Sequence, residues 1–189
     1  MSNKLVSFTK RRPLFFASLI AVAVAGGLLC AEFRLYAYAV IWHRAHGDFA
    51  TIGGHRVKLP TLWWKEDADA YDTSLLERAG HSNTFLASQI VVSPAIPGEM
   101  RDSDEEELKS TQAIVAIRNR SLSAGTTLST ITLYPKPFKL YCTREGSVIS
   151  GVKLYSQLLC EAARVPYSFI YNGNPTQENE AESILSTLE

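Results

Sequence analysis

Trp63 and Trp64 stand side by side in the stretch TLWWKEDADAY, with Lys65, Glu66 and Asp67 directly behind them. Neighbouring side chains of an extended segment point to opposite faces of a sheet. One ring is therefore expected in the core, and the other is free to mark a candidate partner surface, because exposed rings rimmed by charge dominate interface energetics. The alternative is that both rings pack, one in the core and one under the acidic loop that follows. Cys142 and Cys160 are the second pair with chemistry in it. They lie at the ends of the strand-like segments FKLYC and LLCEAARV, and in an exported body they are expected to form a disulfide. A bridged loop of that length stabilises by about 3 kcal/mol; the alternative is two buried free thiols.

Other candidates point away from catalysis and metal binding. His43 and His46 are three apart and could share a helical face, but Arg44 stands between them and no third ligand is near, so they read as polar residues at the membrane surface. His55 beside a turn and His81 in a loop read as solvated. The acidic stretch from Glu99 to Glu107 has neither the turn glycine nor the alternating ligands of a calcium loop and reads as a charged helix start. No G-x-S-x-G elbow, H-E-x-x-H helix, glycine-rich phosphate loop or C-x-x-C pair occurs in the chain. No catalytic residue, cofactor or metal site is expected.

The chain has 189 residues, 46% hydrophobic and 20% charged, with 19 basic against 19 acidic side chains. That composition excludes a disordered chain, a collagen-like repeat and a cysteine-dense mini-protein. The balance hides an asymmetry. Residues 1–46 carry Lys4, Lys10, Arg11, Arg12, Arg34 and Arg44 against Glu32 alone, so the remainder is acidic. An acidic body has no electrostatic reason to seek phosphate backbones, and no nucleic-acid partner is expected.

Residues 14–31, LFFASLIAVAVAGGLLCA, contain no charge. As a helix they extend roughly 27 Å, close to the ~30 Å of a hydrocarbon core. The expectation is a transmembrane helix over 14–31, a cytoplasmic basic tail over 1–13, a juxtamembrane stalk over 32–47 and an exported domain over 48–189, the orientation following the positive-inside bias. Phe33, Tyr36, Tyr38 and Trp42 suit the headgroup region. A signal peptide cleaved after Ala31 or Ala39 is the rival reading. Both readings export the body.

Within that body Gly53-Gly54 between GDFATI and HRVKLP predicts a hairpin. Strands are expected over 73–78 and 84–92, with AGHSN as the turn between them. Ser103 and Glu106 form an S-x-x-E capping box at a helix start, although AIVAI after it suits a strand equally well. Strand character returns over 126–142, 148–160 and 165–171. Asn172-Gly173 reads as a turn, and Asn174 with Pro175 opens a last helix whose stripe is Ala181, Ile184, Leu185 and Leu188. The fold class expected is α+β, a mostly antiparallel sheet with helices packed on it, behind the N-terminal transmembrane helix.

The opening hairpin ending in KLPTLWW and the closing FIYNGNPTQENEAESILSTLE together resemble the α/β/α sandwich of the PsbP/Mog1-like superfamily. The resemblance implies a binding or assembly module and carries over no functional residue. The function expected is therefore a membrane-anchored, non-catalytic envelope protein that binds a protein partner. The alternative is a small exported hydrolase-like enzyme.

Overall fold

The computed structural model describes residues 12–67, 73–80, 88–95, 100–122, 124–149 and 152–189. Helix α1 (Arg12–His46) leads into a hairpin of β1 (Phe49–Ile52) and β2 (His55–Lys58). A seven-stranded sheet follows, built from β3 (Trp63–Asp67), β4 (Ser74–Arg78), β5 (Gln89–Pro94), β6 (Thr126–Leu133), β7 (Leu140–Ile149), β8 (Val152–Glu161) and β9 (Tyr167–Gly173). Helix α2 (Asp104–Arg118) separates β5 from β6, and a 3-10 turn (Pro175–Gln177) precedes α3 (Glu178–Ser186). The strand order is β3-β4-β5-β9-β8-β7-β6, every pair antiparallel.

Local chemistry explains the elements. Gly53 and Gly54 take φ of 52° and 77°, the left-handed values a tight hairpin turn requires and a Cβ resists. Ser103 accepts a hydrogen bond from the Glu106 amide at 3.3 Å, while the Glu106 carboxylate reaches back to the Asp102 amide at 3.2 Å. With that cap made, α2 runs on through AIVAI to Arg118, so the segment that suited either state is helical. Asn174 accepts from the Thr176 amide at 3.0 Å and starts the 3-10 turn at Pro175. Asn172 and Gly173 belong to β9 and not to a turn: the strand pairs through Gly173 with Ser156 before the chain reverses at Asn174.

The core lies between one sheet face and the pieces packed on it. Alternation along the strands brings Trp63, Leu76, Ile90, Phe169, Tyr171, Leu158 and the two cysteines to that face. The buried stripe of α3 (Ala181, Ile184 and Leu185), Leu188 just beyond its end and the hairpin residues Ala50, Ile52, Val57 and Leu59 belong to the same buried cluster, as do Ala39 and Trp42 of α1 at the β3 edge. Cys142 and Cys160 are register partners on β7 and β8 and form a disulfide inside this layer, both fully buried. Helix α3 is pinned at its start, where Arg144 of β7 pairs with Glu178 and Glu182, and Ser156 of β8 donates to Glu178. Behind it the Tyr171 hydroxyl donates to the Asn174 carbonyl at 2.7 Å, and burial pushes its phenol up to about 12.

The transmembrane helix expected over 14–31 is corrected by the structure. Among the described residues no helix is long and apolar enough to cross a membrane. The second half of the same helix is no free stalk, since Ala39 and Trp42 are buried against the sheet domain. The basic tail before Arg12, His81, Glu99 and residues 84–87 of the expected strand over 84–92 lie outside the described residues; the rest of that strand is found in β5.

Candidate binding groove

The ladder between β6 and β7 ends at Leu133 paired with Leu140, because Pro135 and Pro137 have no amide to donate and hold the chain away from regular pairing. The loop so formed, Tyr134 to Lys139, lies beside the start of α2 (Asp102, Ser103 and Asp104) and the β8–β9 turn (Ala163 and Arg164). The three segments enclose an open groove of about 650 Å³, within the size range of ligand pockets.

Each wall has a physical anchor. Arg164 is the one non-glycine with positive φ among the described residues, at 62°. Two hydrogen bonds hold it there: its amide donates to the Arg101 carbonyl at 3.0 Å, and its Nε donates to the Asp102 carbonyl at 2.7 Å. A left-handed arginine costs on the order of 1 kcal/mol, so these bonds both offset the strain and fix the guanidinium at the groove wall. Lys139 pairs with Asp104 at 3.3 Å beside the groove, and the hydrogen bond to that carboxylate raises the Lys139 ammonium above its usual range. Burial, then the charge of Asp104, pushes the Tyr141 phenol up. Lys136 pairs with Glu189 at 2.8 Å on the rim. Phe138 anchors the loop from below, edge-on to His55 at 4.9 Å and stacked with Phe169 at 6.5 Å. Tyr134 remains 72% exposed. The arrangement offers an aromatic ring, two prolines and a fixed guanidinium on a surface open to an extended chain.

The tryptophan pair lies elsewhere, and neither ring is on the surface. Trp63 is fully buried and Trp64 is 3% exposed. The pleat does send them to opposite faces, but both faces are covered. Trp63 sits under α3, its indole N–H donating to Glu180 at 2.9 Å, and Arg78 grips the same carboxylate through Nε at 2.7 Å and Nη2 at 3.0 Å. The Arg78 hydrogen bonds hold Glu180 below the usual carboxylate range, against the desolvation that burial imposes. Trp64 meets Tyr38 of α1 edge-on at 5.5 Å. Its expected rim residues Lys65 and Glu66 do line a depression of about 610 Å³, but the rings there are Tyr38, Trp42 and Phe49.

His43 docks α1, while His46 packs on a residue of α1 itself. His43 faces Asp48 through Nδ1 at 3.1 Å, and through Nε2 the carbonyls of Trp63 at 2.8 Å and Pro60 at 3.1 Å. His46 lies stacked on Trp42 at 4.8 Å, with Nδ1 3.0 Å from the Trp42 carbonyl. Among the described residues no cluster of three His, Cys, Asp or Glu could hold a metal ion.

Of the acidic run, Glu105 pairs with Lys109 in solvent and Glu106 caps the helix, but Glu107 is buried at 3% exposure. Burial, and then the charge of Glu161, raises its carboxyl above the usual range, with Arg101 opposing. A carboxyl raised in the fold contributes stability below its ordinary value, near 4.5, and loses that contribution as pH rises through its folded value. Glu107→Gln, neutral throughout, is therefore expected to raise the melting temperature at pH 7, with the gain shrinking to nothing below about pH 4. Thermal melts of both proteins from acid to neutral pH check this; a gain that persists in acid would sink it.

The sequence signals for the groove are weak. The pair of prolines flanking Lys136 marks a break, and Ser103 marks a helix start, but nothing local places Arg164 beside Asp102. No family model matches the chain and no curated protein matches it. Among solved structures it is similar to a protein of Bacteroides thetaiotaomicron VPI-5482, with 16% identity and a TM-score of 0.42, over 74% of this chain and 46% of that one. The chain thus spans less than half of that protein, and a likeness so distant carries no argument.

Proposed function

We propose that the chain is a binding module of an oxidising, extracytoplasmic compartment whose groove holds a segment of a partner protein without chemical conversion. The observation that carries this reading is Tyr134, 72% exposed beside Pro135 and above an anchored loop. A large ring left in solvent adds little to the fold, and such rings recur as anchors at protein interfaces. Cys142–Cys160 supports the compartment, because disulfides persist where the surroundings are oxidising. A photo-crosslinking amino acid placed at position 134 in cells tests the groove. It is expected to capture one discrete protein, whereas the same group at Lys109, on the outer side of α2, captures none. Equal yields at the two positions would overturn the reading.

A further inference from the structure

The depression of about 610 Å³ at the β3 edge shares no lining residue with the groove at Tyr134. Tyr38, Trp42 and His46 line it from α1. They recur every four residues, so their rings lie along one side of the helix. Phe49 of β1 lines it from the hairpin and Glu66 from β3. Tyr38, His46, Phe49 and Glu66 are all exposed, and His46 is stacked on Trp42 at 4.8 Å. One of these rings already holds a cation, since the Arg56 guanidinium stands 3.8 Å from the centroid of Phe49.

The charge beside the rings is acidic. Glu66 is hydrogen-bonded to a second acid, Glu77 of β4. Burial, then the charge of Glu66 and that hydrogen bond, raises the Glu77 carboxyl above its usual range. Two acids held together repel when both ionise, and a positive charge placed beside Glu66 relieves them. Lys65, which also lines the depression, already has a partner.

We propose that this depression binds a methylated ammonium group, with the rings of Tyr38, Trp42 and Phe49 against its methyls and Glu66 balancing its charge. The occupant follows from the lining. An anion would meet Glu66 directly, and a neutral apolar ligand would strip water from that carboxylate without replacing it. A metal ion needs several oxygen or nitrogen ligands, and among the described residues no cluster of three His, Cys, Asp or Glu supplies them. A methylated ammonium presents positive charge behind an apolar surface, the combination that aromatic rings recognise. The inference goes beyond the groove and stands without it. Such a group is carried by free choline-like molecules and by lipid headgroups alike.

Choline titrated into the full chain at about pH 8, above the ordinary range of imidazole titration, tests the site. Tryptophan fluorescence, which Trp42 brings into the depression, is expected to change saturably with a midpoint in the millimolar range or below. The neutral isostere of choline, with a tert-butyl group in place of trimethylammonium, is expected to bind at least about tenfold more weakly. Glu66→Gln and Phe49→Leu, both at exposed positions, are each expected to weaken choline at least about threefold, with circular dichroism reporting that the sheet is retained. Competition by phosphatidylcholine vesicles, and not by phosphatidylglycerol vesicles, assigns the group to a lipid headgroup; choline binding untouched by either assigns it to a free molecule. No saturable response to choline, equal binding of the neutral isostere, or choline binding unchanged in both variants would each overturn the proposal.

Discussion

Trp63→Ala is expected to lower the free energy of unfolding by about 4 kcal/mol, within the ~3–5 kcal/mol typical of truncating a buried aromatic ring. The ring is fully buried between the sheet and α3, so its loss leaves a cavity that α3 cannot collapse into while Arg144, Glu178 and Glu182 hold the helix start in place. The substitution also deprives Glu180 of its indole partner, although Arg78 still pairs with that carboxylate. Trp63→Phe keeps most of the volume and loses the N–H bond, and is expected to cost roughly 1–2 kcal/mol. Urea denaturation of the three proteins, at unchanged slope, measures both differences. A loss under about 1 kcal/mol for the alanine variant, the size typical of a surface site, would contradict the packing described.

The second large effect belongs to the disulfide. Replacing Cys142 and Cys160 together by alanine is expected to cost about 3 kcal/mol, the chain entropy that a loop of this size regains in the unfolded state. The separation of 18 residues sets that figure, while the register of β7 and β8 sets the chance of bridging at all. A thiol reductant is expected to shift the wild-type denaturation midpoint toward that of the double variant and to leave the variant itself unmoved. Free thiols at both positions in the native, unreduced protein would refute the bridge and remove the main support for an oxidising compartment.

Much of the fold is local and legible in the amino-acid sequence. Gly53-Gly54 sets the hairpin because a two-residue turn needs positive φ. Ser103 with Glu106 starts α2 through bonds within one helical turn. The stripe from Ala181 to Leu188 declares the inner face of α3 through its period alone, and all four of its residues are buried. The prolines at 135 and 137 divide one β-rich stretch into β6 and β7. Each of these depends on interactions spanning a few residues.

What the chain order could not decide is which distant segment covers which face. The pleat sends Trp63 and Trp64 in opposite directions, as an extended segment must. Whether either ring meets solvent depends on α3, more than a hundred residues later, and on Tyr38 of α1, which together cover both. The run over 14–31 carries an apolar signal that says nothing of the second half of the same helix, whose Ala39 and Trp42 are claimed by the sheet domain. Glu107 looks like any acid of a first helical turn until the packing of α2 buries it near Glu161. The groove is the clearest case, since Asp102, Tyr134 and Arg164 come together only through the order β9-β8-β7-β6 and the hydrogen bonds of a left-handed arginine. Local periodicity, caps and turns act over a few residues and are written in the chain; solvent exposure and the meeting of remote side chains are properties of the packed sheet, where pairing partners are chosen by the burial of the whole core.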